Sequence, residues 1–320
     1  MKIKVAALLV LAWVALVAQG AAAQDFPTRP VHLIVPNAPA GAIDIMARLF
    51  SRHLQALWGQ AAVVEYKPGA GTALGTDYVA KSPADGYTLG FVATPHVINP
   101  SLRKLPFDTV RDLSGVSLYA VSNIVIVATP GLPANTLPEF IALAKANPGK
   151  YTYASPGSGS SMHLAMELLK QAAGIDLLHV PFKGSGPAYP EVFAGRVDLL
   201  VDPLFASLPY IKAGRTKPIA VTSAKRAAQL PEVQTVAETV PGFEVQSFFG
   251  IVVPSATPRA IVNKLNADVV KVLRLPEMRA KLSELGLEPV GDTPEQFDAT
   301  ICSEIDKWAR VVKEAGIKAD

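Results

Sequence analysis

From Val31 onward, short β-rich runs alternate with longer helical patterns, and this alternation constrains the fold more than any other feature of the chain. It predicts an α/β architecture with mostly parallel sheets, because a crossover helix returns the chain to the same end of the next strand. Val31–Val35 reads as the first strand and stops at Pro36. Ile43, Ala47, Phe50, Leu54 and Leu57 then recur at spacings of three and four, which marks a helix over 43–58. Ala62–Tyr66 and Thr88–Val92 are the next strands, separated by a helix over about 73–81.

Two further runs, Ile124–Thr129 and Gly250–Pro254, lack a polar face and read as crossings between two lobes. Between them the alternation repeats. Strands are expected at 151–154, 177–180, 197–201 and 218–222, with helices over about 161–173, 187–194 and 206–212. Helices over about 259–273, 276–285 and 294–315 close the chain. The expected layout is therefore lobe one over 24–124 and 249–320, and lobe two over 125–248. A chain of 320 residues fits that division, since compact domains usually hold about 100–200 residues.

The first residues address the chain for export. Met1–Lys4 is a short basic start, Val5–Val17 is an apolar run of 13 residues, and Ala21-Ala22-Ala23 offers a small-residue cleavage site. The apolar run falls short of the roughly 20 residues a bilayer span needs, so cleavage after Ala23 and release into the periplasm are expected, without membrane insertion. Removal of 1–23 leaves 28 basic against 27 acidic residues, a balance that gives no electrostatic case for nucleic acid. With no evident apolar stripe, a monomer is the expected state. The single cysteine, Cys302, permits no internal disulfide and reads as a small buried hydrophobe.

Ligands of open parallel sheets bind beyond the carboxyl ends of the strands, so the strand exits are the candidate site. The first exit, Pro36 to Asp44, is built of small residues and opens a helix. Exposed amides and the helix dipole there favour an anion, and Asn37, Ala38, Ala40, Gly41 and Asp44 are its candidate contacts. The loop after the 151–154 strand carries Ser155, Ser158, Gly159, Ser160 and Ser161, a nest of donors without a cation, with His163 just inside the following helix. His163 either packs against this loop or forms a dyad with one of its serines. A third exit offers Lys183, Gly184 and Ser185, and a fourth offers Asp202, suited to a ligand amino group, a lobe-closing contact or a turn cap.

No cofactor is expected. Gly69-Ala70-Gly71-Thr72-Ala73-Leu74 has Leu74 where a dinucleotide fingerprint needs its third glycine, and no phosphate loop or nucleophile elbow occurs. The five histidines, His32, His53, His96, His163 and His179, never fall at zinc-motif spacing.

Several segments in order carry a resemblance. They are Pro30–Pro36 with the loop through Asp44, Glu65–Gly71, Asp85–Leu89, Ala142–Lys150, His179–Gly184 and Ala220–Arg226. Together they make the chain from Gln24 onward, nearly end to end, resemble the Bug receptors, periplasmic substrate-binding proteins of tripartite tricarboxylate transporters. The resemblance implies a two-lobed, type II-like Venus flytrap that closes on a carboxylate and hands it to a membrane permease. It implies a receptor rather than an enzyme. It also implies carboxylate contacts at Asn37–Asp44, often through ordered water, at Thr94–His96, at Ser155–Ser161 and at Lys183–Ser185.

Two departures stand out. The family's first loop usually reads aromatic-Pro-Pro-Gly-Gly, whereas here Asn37-Ala38-Pro39-Ala40-Gly41 lacks the aromatic and one glycine. The usual Asp-Asn at the fourth exit is Asp202-Pro203. The expected ligand is accordingly a di-, tri- or aromatic carboxylate other than a small amino dicarboxylate. Docking on a sensor kinase in place of a permease, and a serine hydrolase built on Ser158, Ser160 or Ser161 with His163, are the rival readings.

Overall fold

The computed structural model describes residues 26–37, 39, 42–182 and 184–317. The expected leader and cleavage site lie outside them, as do Ala38, Ala40, Gly41 and Lys183. Strand β1 (Val31–Val35) lies between β2 (Ala62–Tyr66) and β3 (Thr88–Ala93), parallel to both, so three successive strand exits open at one end. Helix α1 (Ala42–Trp58) returns the chain from β1 to β2, burying Ile43, Ala47, Phe50 and Leu54 at the spacing that predicts it. Helix α2 (Ala73–Ala80) makes the next crossover.

Beyond β3 the two lobes share a strand. β4 (Leu113–Ala128) pairs antiparallel with β9 (Gln246–Pro254) up to Asn123, then with β7 (Leu199–Pro203) from Ile124 and with β8 (Lys217–Val221) from Val125. In the second lobe β5 (Thr152–Ser155) is parallel to β6 (Leu178–Pro181) and β7, so those exits also share an end. Helices α5 (Ser161–Ala173), α6 (Ala188–Phe193) and α7 (Leu204–Lys212) connect these strands. Among the described residues, eight strands form one path in the order β2-β1-β3-β9-β4-β7-β5-β6, mixed in direction where the lobes meet, and two more strands, β8 among them, branch from β4.

Three elements escape the sequence reading: α3 (Pro95–Leu102), α4 (Leu137–Ala146) and β10 (Leu287–Pro289). Pro95 and Pro100 disguise α3, because a proline inside a helix removes a backbone hydrogen bond. The crossing strands are also longer than the apolar runs suggest. Ser114, Ser117, Ser122 and Asn123 interrupt the apolar pattern of β4, and register shifts near Gly115–Ser117 and Leu118–Ala120 break its period. Three of these side chains find distant partners: Ser114 donates to Asp298, Ser117 to the Asp292 carbonyl and Asn123 to Glu288.

After β9 come α8 (Arg259–Leu273), α9 (Pro276–Glu284), β10 and the long α10 (Pro294–Ala315). α10 packs on α3, β4 and α5, so it braces both lobes, with Phe297, Ile301 and Trp308 buried. Cys302, one residue past Ile301, falls on the solvent face and is exposed, which corrects the expectation of a buried thiol. The core of lobe one gathers Leu33, Phe50, Phe91 and Tyr119, while a second cluster runs from Ile34 and Val97 across to Tyr153 and Leu164.

Candidate functional site

The exits of β1, β2 and β3 share one sheet end, and those of β5 and β6 share another. Asn37 follows β1 and is half-buried, with a side-chain oxygen that is shielded and has no hydrogen-bond partner. Asp44, 4% exposed in the first turn of α1, accepts from the Tyr66 hydroxyl at 2.6 Å and from Arg48 Nε at 2.8 Å. Its carboxylate therefore ties the α1 start to the β2 exit. Burial and the neighbouring carboxylate raise the Tyr66 phenol above its ordinary range.

At the β3 exit, Thr94 Oγ1 accepts from the Phe248 amide at 3.0 Å, joining this exit to the start of β9. His96 is 3% exposed and neither ring nitrogen has a hydrogen-bond partner. Burial lowers its pKa to about 4, so the ring is neutral at physiological pH, with one donor and one acceptor uncommitted. Unpaired buried polar atoms are costly, about 1–3 kcal/mol each, and call for a partner.

The serine-rich loop is the best-defined part of the site. Ser160 caps α5, accepting from the His163 amide at 3.2 Å and donating to the Gly157 carbonyl at 2.7 Å. Ser155 is fully buried and lies 2.7 Å from His179 Nε2. Gly159, in the left-handed region at φ 73°, donates its amide to His163 Nδ1 at 3.0 Å. A Cβ at Gly159 would stand 2.9 Å from Leu102 of α3, so the loop lies against the opposite lobe. Ser161 Oγ reaches Ser247 Oγ at 3.1 Å. Among the described residues, the Ser158 hydroxyl and the amides of Ser158, Ser161 and Met162 have no partners, which leaves a cluster of donors at a helix N-terminus.

The β6 exit is laced to this loop: the Phe182 amide donates to the Ser155 carbonyl at 3.0 Å and the Gly184 amide to the Pro156 carbonyl at 2.9 Å. Ser185 donates to Asp202, which also accepts from the Tyr189 hydroxyl at 2.7 Å. Asp202 is fully buried. Desolvation pushes its pKa up to about 6, against the opposing pull of the Ser185 and Tyr189 hydrogen bonds. Asp202 thus secures the loop from behind rather than standing at the surface.

The serines do not pair with His163. Its Nδ1 is taken by Gly159, and Ser160 and Ser161 are engaged elsewhere. The pairing of Ser155 with His179 is sealed from solvent at the serine, which prevents attack on a substrate.

Sequence reading passed over the β2 exit. Ala70 and Thr72 adopt positive φ, 49° and 80°, which is rare outside glycine and especially so for a β-branched residue. Gly75 then packs so tightly on Pro36 that a Cβ would sit 2.7 Å from the proline ring. The Gly-Ala-Gly-Thr run at the same sheet end is the available signal; it reads as an incomplete dinucleotide motif and, in part, as the Glu65–Gly71 segment of the resemblance. Ser247 was also missed, because nothing local marks it. Among the described residues, no cluster of His, Cys, Asp or Glu is placed to hold a metal, and no helix is long and apolar enough to cross a membrane.

Residues 46–317 match the family described as the tripartite tricarboxylate transporter family receptor. The chain is 36% identical over 306 residues to protein BugT of Bordetella pertussis, covering 94% of each chain. Among solved structures it is similar to R. palustris Rpa4515 with adipate, at 36% identity and TM-score 0.75, over 92% of this chain and 99% of that one. It is also similar to MatC of Rhodopseudomonas palustris with bound malate, at 30% identity and TM-score 0.71, over 90% of this chain and all of the other.

Proposed function

This chain belongs to the tripartite tricarboxylate transporter receptor family, and on that premise we propose that it captures a small organic carboxylate between its lobes and delivers it to a membrane permease. The lobes are residues 24–124 with 249–320, and residues 125–248. Capture takes place in the periplasm, after removal of residues 1–23, by a monomer.

The observation that carries this reading is the set of uncommitted donors at the α5 N-terminus, in a loop that lies against Leu102 of α3 in the other lobe. An anion there gains the helix dipole and several charge-assisted hydrogen bonds, each contributing about 1.5–3 kcal/mol net. Ordering and closure costs offset much of that sum and leave an affinity near micromolar, about −8 kcal/mol. Asn37, Thr94, His96, Ser158, Ser161 and Ser185 are the polar side chains set around the cleft. Asp44, His163 and Asp202 act by holding its loops, since each is buried in hydrogen bonds to the chain itself. Adipate and malate, carried by the two solved relatives, make aliphatic dicarboxylates the first candidates.

A thermal-shift and calorimetric screen of the purified protein against di-, tri- and aromatic carboxylates and acidic amino acids tests the proposal. One class of acid is expected to raise Tm by about 5–10 °C at a hundredfold excess over Kd. Tight binding of aspartate or glutamate would overturn the ligand assignment but not the receptor. No shift with any acid would overturn carboxylate capture itself.

A further inference from the structure

Behind the serine-rich loop, three rings are stacked. Tyr153 on β5 and His179 on β6 are register partners, with ring centroids 4.8 Å apart and planes 22° from parallel. His163 on α5 lies on His179 at 3.9 Å and 9°, close to full face contact. Each imidazole is bonded to the loop: His163 Nδ1 accepts the Gly159 amide at 3.0 Å, and His179 Nε2 meets Ser155 Oγ at 2.7 Å. A backbone amide only donates, so Nδ1 of His163 carries no proton and the ring is the neutral Nε2–H tautomer. That Nε2 faces Glu167 at 4.0 Å.

The surrounding charge is balanced. Glu167 accepts from the Tyr153 hydroxyl and from Lys170 Nζ at 2.9 and 3.1 Å, so the acid is already paired. On β7, packed against α5, Asp202 is engaged by Ser185 and Tyr189. On α10, which also packs against α5, Glu304 and Lys307 pair with one another.

We infer that His163 and His179 are positioning residues of the binding site: as stacked neutral imidazoles they hold the 157–161 loop in its donor-presenting shape, and their protonation in acid releases it. A proton on His163 Nδ1 removes the acceptor for Gly159, and two imidazolium rings face to face repel. Burial lowers both pKa values, that of His179 to about 4 with His163 as the next cause, so the loop is held at neutral pH and released only in acid. The consequence for ligand affinity rests on the carboxylate reading above, whereas the hold on the loop does not.

The test is hydrogen-exchange mass spectrometry on the ligand-free protein at pH 7.5 and pH 4, corrected for intrinsic rates, following the hydrogen-bonded loop amides of Gly157, Gly159 and Ser160. Wild-type protection of the loop is expected to fall about tenfold or more in acid, the loss of roughly one net hydrogen bond. His163→Asn, whose amide oxygen takes the place of Nδ1 and does not titrate, should keep the loop protected at pH 7.5 and blunt the acid loss. His163→Leu should lose protection already at pH 7.5, and imidazole NMR of the wild type should place both histidines below the ordinary range. Loop exchange independent of pH in the wild type, or an undiminished acid loss in His163→Asn, would overturn the inference. Adipate serves as the binding probe at both pH values. Loop protection that follows His163 while adipate and the other acids fail to bind would sustain the inference and overturn the proposed function.

Discussion

The hydroxyls of Ser161 and Ser247 lie 3.1 Å apart, joining the first residue of α5 to the second residue of β9. This hydrogen bond ties the end of the serine-rich loop to the returning strand. Ser161→Ala and Ser247→Ala remove the same bond, so each is expected to cost about 0.5–1.5 kcal/mol and the double variant little more than either. Urea denaturation of the three variants checks this. Fully additive losses would mean that the two hydroxyls act independently.

Asp202 gives a pH dependence of definite sign. Its folded pKa, about 6, lies above the ordinary carboxylate value of 3.8, so the folded state binds this proton more tightly than the unfolded state. Stability from this residue is therefore greatest below about pH 4, declines as pH rises to about 6, and stays low above that. The shift of roughly two units corresponds to about 3 kcal/mol. Asp202→Asn keeps an acceptor for Ser185 or Tyr189 without a buried charge. Relative to wild type it should gain about 1–3 kcal/mol between pH 4 and pH 7. Denaturant curves across that range, compared pairwise, isolate the residue from Asp292, whose carboxyl burial also raises to about 6. A pH-independent difference would count against the buried-charge account.

Gly250 sits mid-strand in β9, opposite Val92 on one side and Leu118 on the other, with the Phe297 ring of α10 laid directly over it. A methyl group there would enter the ring. Gly250→Ala is expected to cost about 1–3 kcal/mol, and Phe297→Leu in the same chain should recover part of that loss. A double-mutant cycle by urea denaturation measures the coupling, and a coupling near zero would show that the strand yields instead of the ring.

How much was legible beforehand follows from the range of the forces involved. Val31–Val35, Thr88–Val92 and the α1 stripe of Ile43, Ala47, Phe50 and Leu54 were readable, because periodic burial is written within a few residues. The serine-rich loop was readable as a donor cluster for the same reason: small and hydroxylated residues between a strand and a helix imply exposed amides. Asp44 and Asp202 were recognised as polar groups at strand exits, yet nothing local says that Tyr66 and Tyr189 claim them. His179 stood in the sequence as one of five histidines off zinc-motif spacing and as the start of the His179–Gly184 segment, and its stacking on His163 depends on a strand pairing and a helix crossover that meet in space.

Composition and local pattern by themselves determined the α/β alternation and the order of strands and crossover helices along the chain. Only the tertiary structure decided that β4 serves both lobes, that Cys302 faces solvent and that two imidazoles back the serine-rich loop. The physical reason is that steric preference and periodicity act over one or two turns. Satisfying a buried polar group draws on whatever partner the fold delivers, such as Asp298 for Ser114 or Glu288 for Asn123, more than 160 residues away.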